Sequence, residues 1–298
     1  AIAPYDLFGG NTLYNLDTLT INNNVISCNE ISGFGYGIVD MGAGALLRSG
    51  HNEWTKYYNN DNMISNNIIK KVSRAGIFLG YTENEKVIGN RIHNVTGLGA
   101  DTYLEGGPPA TPVFYDAGGI LAGGDRYQSY YPFNNMGLTI SGNEISLVTS
   151  DYLAYGIKVE QAQTEYQHSP VYATFPDADE NTKVMNNIVW GVNTPDDANR
   201  AGIRVFTERF SMDPADFLIA RISDYFTTGD MILSNTVIMP DDEGKTEGGL
   251  VGIGVQHSKD TKILNNAVAM LDNHVDVDNA PAAALIFYQG ILPAYANG

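Results

Sequence analysis

The chain has 298 residues, with 34 acidic against 17 basic side chains and a formal charge of −17. That balance excludes a nucleic-acid surface, which needs clustered Lys and Arg to release counterions, and argues equally against an anionic membrane surface. No apolar run approaches the roughly 20 residues that span a bilayer, and the single cysteine, Cys28, excludes an intrachain disulfide framework.

Taken in chain order, two short elements alternate. The first is Ile/Val-x-x-Asn-x-Ile/Val. It reads Ile21–Asn24–Ile26, Ile64–Asn67–Ile69, Val87–Asn90–Ile92, Ile140–Asn143–Ile145, Val184–Asn187–Val189, Ile232–Asn235–Val237 and Ile263–Asn266–Val268. The second falls between successive copies: Gly37-Ile38, Gly76-Ile77, Gly119-Ile120, Gly156-Ile157, Gly202-Ile203 and Gly252-Ile253, with Ala284-Leu285 as a seventh. A repeat of this kind is an architecture of stacked units.

Period-two apolar pairs predict short strands with one buried face. The Asn sits at the bend between two strands, where its tolerance of left-handed backbone suits a sharp turn. Stacked at the strand spacing of about 4.8 Å, such side chains can donate to one neighbour and accept from the other. The separation of Asn67 and Asn90, 23 residues, fits one turn of a three-strand coil. Longer separations are insertions, and all fall beside the Gly-Ile strand. Asp213-Pro214 followed by Leu218, Ile222 and Tyr225 predicts one short helix near 214–226 within such an insertion. A doubly wound α/β protein, whose buried strands also read as Val/Ile runs, is the competing fold.

The pattern, as in Met63 to Leu79, resembles the right-handed parallel β-helix superfamily, the pectate-lyase-like fold, in its short-coil repeat type. The resemblance covers roughly residues 19 to 287. It implies an all-β fold: a right-handed parallel β-helix of about seven coils in a single domain over 1–298, with long loops flanking one sheet. It does not fix function, because the repeat is shared by lyases, hydrolases, epimerases, tailspikes and adhesins. The ends lack a capping helix, which leaves two expectations: a fragment of a longer solenoid, or ends covered by partner subunits.

Insertions at 42–62, 124–138, 161–182, 207–230 and 95–117 make the Gly-Ile sheet the expected floor of a groove. Alternation points Val39, Phe78, Leu121, Lys158, Arg204 and Gly254 outward, followed two residues on by Met41, Gly80, Gly123, Glu160, Phe206 and Gln256. Lys158 and Arg204 thus stack on adjacent coils, and like charge is expected to depress the lysine pKa. In uronate-cleaving β-helix lyases a Lys or Arg removes the C5 proton while cations or calcium neutralise the carboxylate. The resemblance implies that arrangement for Lys158 and Arg204; Tyr155, just before Gly156, is a separate candidate proton donor. Simple pairing of Lys158 with Glu160 or a loop acid is the structural alternative. The substrate-binding candidates are Glu160, Phe78, Phe206 and Gln256 on the floor, and Asp125, Arg126, Tyr127, Trp54 and His257 at its rim. Aromatic faces with polar tips suit sugar rings.

No metal ligand set is assigned, since the five histidines show no i,i+4 pair. Asp177, Asp179 and Asn181 have the alternate spacing of a calcium loop without its Gly and Glu, as do Asp272, Asp276 and Asp278. Calcium therefore stays open as the one cofactor the resemblance suggests. Asp40 is the odd residue of the Gly-Ile strands, because alternation points it inward. Cys28 is expected to be a buried small hydrophobe.

Two functions follow. One is an extracellular or cell-surface carbohydrate-binding or carbohydrate-active protein, with polysaccharide as partner and β-elimination of uronate polymers as its sharpest form. The other is a non-catalytic surface or structural protein (adhesin, surface-layer or filament subunit) that self-associates end to end.

Overall fold

The computed structural model describes residues 20–42, 44–47, 54–97, 116–123, 135–162, 181–194, 199–208, 227–240, 249–256, 258–271 and 282–288. Three sheets of seven strands each dominate them, and every pairing within the three is parallel. The first sheet runs from Val25–Ser27 to Lys262–Leu264, the second from Glu30–Ser32 to Ala267–Met270, and the third from Tyr36–Met41 to Ala282–Tyr288. Strand order in each sheet follows chain order, so each successive coil adds one strand to every sheet. The result is an all-β, solenoid-like stack consistent with a parallel β-helix. The helix expected near 214–226 lies outside the described residues.

The asparagine corner joins the first sheet to the second. Asn67 Nδ2 donates to Asn90 Oδ1 at 2.9 Å, Asn90 to Asn143 at 3.0 Å, and Asn143 to Asn187, Asn187 to Asn235 and Asn235 to Asn266 at 2.9 Å each. Each Nδ2 also reaches a carbonyl one coil back, as Asn143 does to Val87 at 3.0 Å. Each backbone N–H donates to the same Oδ1 its side chain uses. The ladder therefore satisfies buried main-chain groups that no sheet partner reaches.

Two details differ from expectation. The left-handed residue is the one before the ladder Asn: Cys28, Asn66, Asn186, Ser234 and Asn265, with Gly89 and Gly142 at the others. The first coil's ladder member is Asn29, which donates to Asn67 Oδ1 at 2.9 Å, and not Asn24. Asn24 belongs to a second corner, between the third sheet and the first, where its N–H donates to Asn62 Oδ1 at 2.8 Å. That corner also recurs in all seven coils, with left-handed Asn23, Asp61, Asn84, Gly137, Asn181, Gly229 and Asp260. Cys28, sitting at a turn, is exposed and not buried.

The Gly-Ile register is as expected: Ile38, Ile77, Ile120, Ile157, Ile203, Ile253 and Leu285 pair in sequence. The six isoleucines face the inward rows of the other sheets in one core that includes Ile64, Ile69, Val87, Ile92, Ile140 and Ile145. Glycine is required because the sheets converge here. A Cβ at Gly76 would sit 2.7 Å from the Gly119 carbonyl oxygen and would also collide with Ile92 Cγ2. The segment 42–62, expected as a loop, contains an antiparallel hairpin of Gly44–Leu47 and Trp54–Tyr57.

Candidate functional site

The outer face of the third sheet carries the site. Register places Val39, Phe78, Leu121, Lys158, Arg204, Gly254 and Ile286 in one row. Tyr155 lies in a parallel row that faces outward because Gly156 and Ile157 both point in, which breaks the alternation at each glycine. Much of this face is not the open floor expected. Phe78 is 4% exposed, Leu121 0%, Tyr155 3%, Lys158 2%, Glu160 0% and Phe206 4%. Phe78 packs against the Tyr36 ring with centroids 5.7 Å apart, within an apolar cluster that includes Ala75, Leu121, Leu153 and Tyr155.

The polar centre lies on the third, fourth and fifth strands. Lys158 Nζ pairs with Asp116 and, at 2.7 Å, with Glu160 Oε2. It also lies over the Tyr155 ring at 5.3 Å and the Phe206 ring at 5.8 Å. Burial alone pushes its pKa down, but the facing charges of Asp116 and Glu160, with Tyr155 and the Asp116 hydrogen bond, prevail and push it above the usual lysine range. The depression expected from Arg204 is therefore reversed, and Lys158 is held as the ammonium.

Arg204 is half-buried beside it. Its guanidinium lies 4.2 Å from the Phe206 ring centroid. Nη1 donates to Tyr155 Oη at 3.4 Å and Nη2 to Gln256 Oε1 at 3.0 Å. These contacts fix the plane of the guanidinium, whose fork geometry matches a carboxylate.

Six of the residues singled out in the sequence thus come together: Tyr155, Lys158, Glu160, Arg204, Phe206 and Gln256. Phe78 lies in the adjoining apolar cluster. Asp125, Arg126, Tyr127 and His257 lie outside the described residues, as do Asp177, Asp179, Asp272, Asp276, Asp278 and the side chain of Trp54. Asp116 is the partner that sequence reading missed. It falls within the 95–117 insertion by sequence, but alternation extended back from Gly119 puts it on the outer face of the third strand. Arg200, 1% exposed and donating to Thr194 Oγ1 at 3.2 Å, was also missed. Among the described residues, no three His, Cys, Asp or Glu side chains gather as a metal group, and no helix is long and apolar enough to cross a membrane.

Comparison of the chain with protein-family models, curated proteins and solved structures finds no match. The chemistry of the site therefore rests on its own geometry.

Proposed function

We propose that the chain is a right-handed parallel β-helix of the pectate-lyase-like type that binds an acidic polysaccharide outside the cell, along the third sheet. The observation that carries this reading is Arg204, half-buried and oriented by Tyr155, Phe206 and Gln256. A fixed, part-exposed guanidinium beside an amide suits the carboxylate and hydroxyls of a uronate ring, while the buried Phe206 and Tyr155 rings hold the guanidinium in place. The remaining rim candidates, Trp54, Asp125, Arg126, Tyr127 and His257, extend the same proposed groove.

Binding without cleavage is the form the geometry supports best. β-Elimination needs a group able to take the C5 proton, and a base works best with a pKa near the operating pH. Lys158, buried between two carboxylates, is a fixed cation in this reading and balances Asp116 and Glu160. Incubation with a panel of uronate polymers tests both forms. Retention of the polymer without new ultraviolet absorbance from unsaturated product supports binding. Unsaturated product restores the elimination reading, and neither retention nor product removes both.

A second reading has its own observation. In the last described coil the core-facing Leu285 is 53% exposed, and in the first the core-facing Ile26 and Ile31 are only half-buried. Core positions exposed at the ends of the described stack favour end-to-end self-association of a structural unit. Light scattering over a concentration series tests it.

A further inference from the structure

The pairing of an arginine with a tyrosine hydroxyl occurs twice on the outer face of the third sheet. Register places Tyr36, Ala75, Gly118 and Tyr155 in one row, so the two tyrosines sit three coils apart. At a strand spacing of about 4.8 Å, that is roughly 14 Å along the stack. Each tyrosine receives its arginine from the next coil. Arg204 Nη1 donates to Tyr155 Oη at 3.4 Å, and Arg74 Nη1 donates to Tyr36 Oη at 3.3 Å. A ring lies against each guanidinium: the Phe206 centroid is 4.2 Å from Arg204 Cζ, and the Tyr36 centroid is 5.8 Å from Arg74 Cζ. Tyr36 packs on Phe78, and Phe78 shares one apolar cluster with Tyr155, so a single packed layer backs both pairs.

Spacing in the sequence conceals this repetition. Arg204 follows its inward isoleucine, Ile203, by one residue, whereas Arg74 precedes Ile77 by three. The surroundings also differ in one respect. Tyr155 and Phe206 are buried, so neither offers a ring face to a ligand at Arg204. Beside Arg74, Phe34 is 63% exposed. It stands one coil back, opposite Ser73, whose N–H donates to the Phe34 carbonyl at 3.0 Å. Arg74 and Tyr36 are half-buried. A guanidinium whose plane is set by a hydroxyl and a ring has the fork geometry that matches a carboxylate. An exposed aromatic ring next to it suits the C–H face of a sugar.

We propose that Arg74, Tyr36 and Phe34 form a second uronate subsite, in the first two coils of the third sheet. Arg74 takes the carboxylate, Tyr36 holds the guanidinium in place, and Phe34 carries the sugar ring. The inference rests on the reading of the third sheet as an acidic-polysaccharide surface and narrows its ligand. Two guanidiniums held three coils apart select a linear polymer whose carboxylates recur along the chain, over a sugar with one terminal acid. A chain that reaches both subsites gains avidity that a short one, confined to a single subsite, does not.

Equilibrium dialysis of the whole chain against a labelled uronate disaccharide, and against a long oligosaccharide of the same linkage, tests the subsite. Wild type is expected to bind two disaccharides per chain. Arg74→Gln is expected to bind one, at unchanged affinity, and to hold the long oligosaccharide at least about tenfold more weakly. Phe34→Ala removes an exposed ring and spares the core. It is expected to weaken the oligosaccharide without lowering the thermal midpoint, which separates loss of binding from loss of folding. Full oligosaccharide affinity in R74Q or in F34A, with a loss in R204Q, overturns this subsite and leaves the Arg204 reading standing. One disaccharide per chain in both wild type and R74Q also overturns it. Wild type that binds neither ligand overturns the subsite together with the reading on which it rests.

Discussion

Lys158 Nζ lies 2.7 Å from Glu160 Oε2, two residues along the same strand, and both side chains are almost wholly buried. Asp116 on the adjacent strand completes the triad. Removing one member of a buried pair leaves an uncompensated charge, which typically costs about 3–5 kcal/mol. Lys158→Met is expected to lose on that order in urea unfolding. Adding Asp116→Asn and Glu160→Gln to it is expected to recover most of the loss. A midpoint for Lys158→Met within error of wild type would show that the triad carries no buried charge.

The ladder makes a graded prediction. Asn143 Oδ1 accepts from both the N–H and the Nδ2 of Asn90, and Asn143 Nδ2 donates to the Val87 carbonyl and to Asn187 Oδ1. Replacing it with Ala strands two main-chain groups, the Asn90 N–H and the Val87 carbonyl, at about 1–3 kcal/mol for each one left unsatisfied. Asn29 lies in the first coil, is exposed, and donates to Asn67 without a described coil before it. Asn29→Ala is expected to cost under about 1 kcal/mol, the ordinary net worth of a hydrogen bond. Equal losses at the two positions, measured by chemical denaturation, would contradict the ladder as a cooperative element.

Gly156 and Gly254 separate close approach from mere presence in a strand. A Cβ at Gly156 would sit 2.5 Å from the Gly202 carbonyl oxygen and collide with Val189. At Gly254 the nearest atoms are Val251 Cγ1 at 3.2 Å and Arg204 Cγ at 3.8 Å, both side-chain carbons. Overpacking a rigid core costs roughly 1–3 kcal/mol and more where backbone must move. Gly156→Ala is expected to lower the thermal midpoint strongly and Gly254→Ala by little. The reverse order would mean that the sheets do not converge at the Gly-Ile strand.

Asp230, buried at the corner between the third sheet and the first, gives a pH effect. Burial raises its pKa to about 6, against the hydrogen bonds from Thr227, the Thr182 N–H and Ser258, which lower it. A carboxyl pKa raised on folding means that stability falls as pH rises from about 4 to about 6 and is flat beyond. The span corresponds to on the order of 3 kcal/mol. Asp230→Asn, whose Oδ1 can accept the Thr182 N–H as Asn62 accepts that of Asn24, is expected to flatten the curve and to be the more stable protein at pH 7. An unchanged slope between pH 4 and pH 6 would remove Asp230 from the pH response.

How much was legible follows from where the information lies. The Gly-Ile rows and six of the seven ladder positions could be read because each is a local spacing repeated in every coil. The seventh could not: Ile21–Asn24–Ile26 and Ile26–Asn29–Ile31 fit the same spacing and share Ile26. Only stacking against Asn67 distinguishes them. The second corner passed unnoticed because its left-handed residue varies among Asn, Asp and Gly, which share a backbone conformation and not a side chain. Lys158 and Arg204 were correctly placed side by side, yet the state of Lys158 depends on Asp116, 42 residues away. Alternation gives direction; it does not give what covers a face, so the burial of Phe78, Tyr155 and Phe206 was out of reach.

Arg204 is where the functional reading is most exposed to refutation. Isothermal titration of the whole chain with a uronate oligosaccharide, and with its neutral counterpart of the same linkage, compares wild type with Arg204→Gln at matched thermal stability. Loss of a bidentate guanidinium–carboxylate contact is expected to weaken uronate binding at least about tenfold, or roughly 1.4 kcal/mol, and to leave the neutral sugar unchanged. Equal affinity of wild type for the charged and neutral sugars, or an Arg204→Gln variant that binds uronate as wild type does, would contradict an acidic-polysaccharide site on the third sheet.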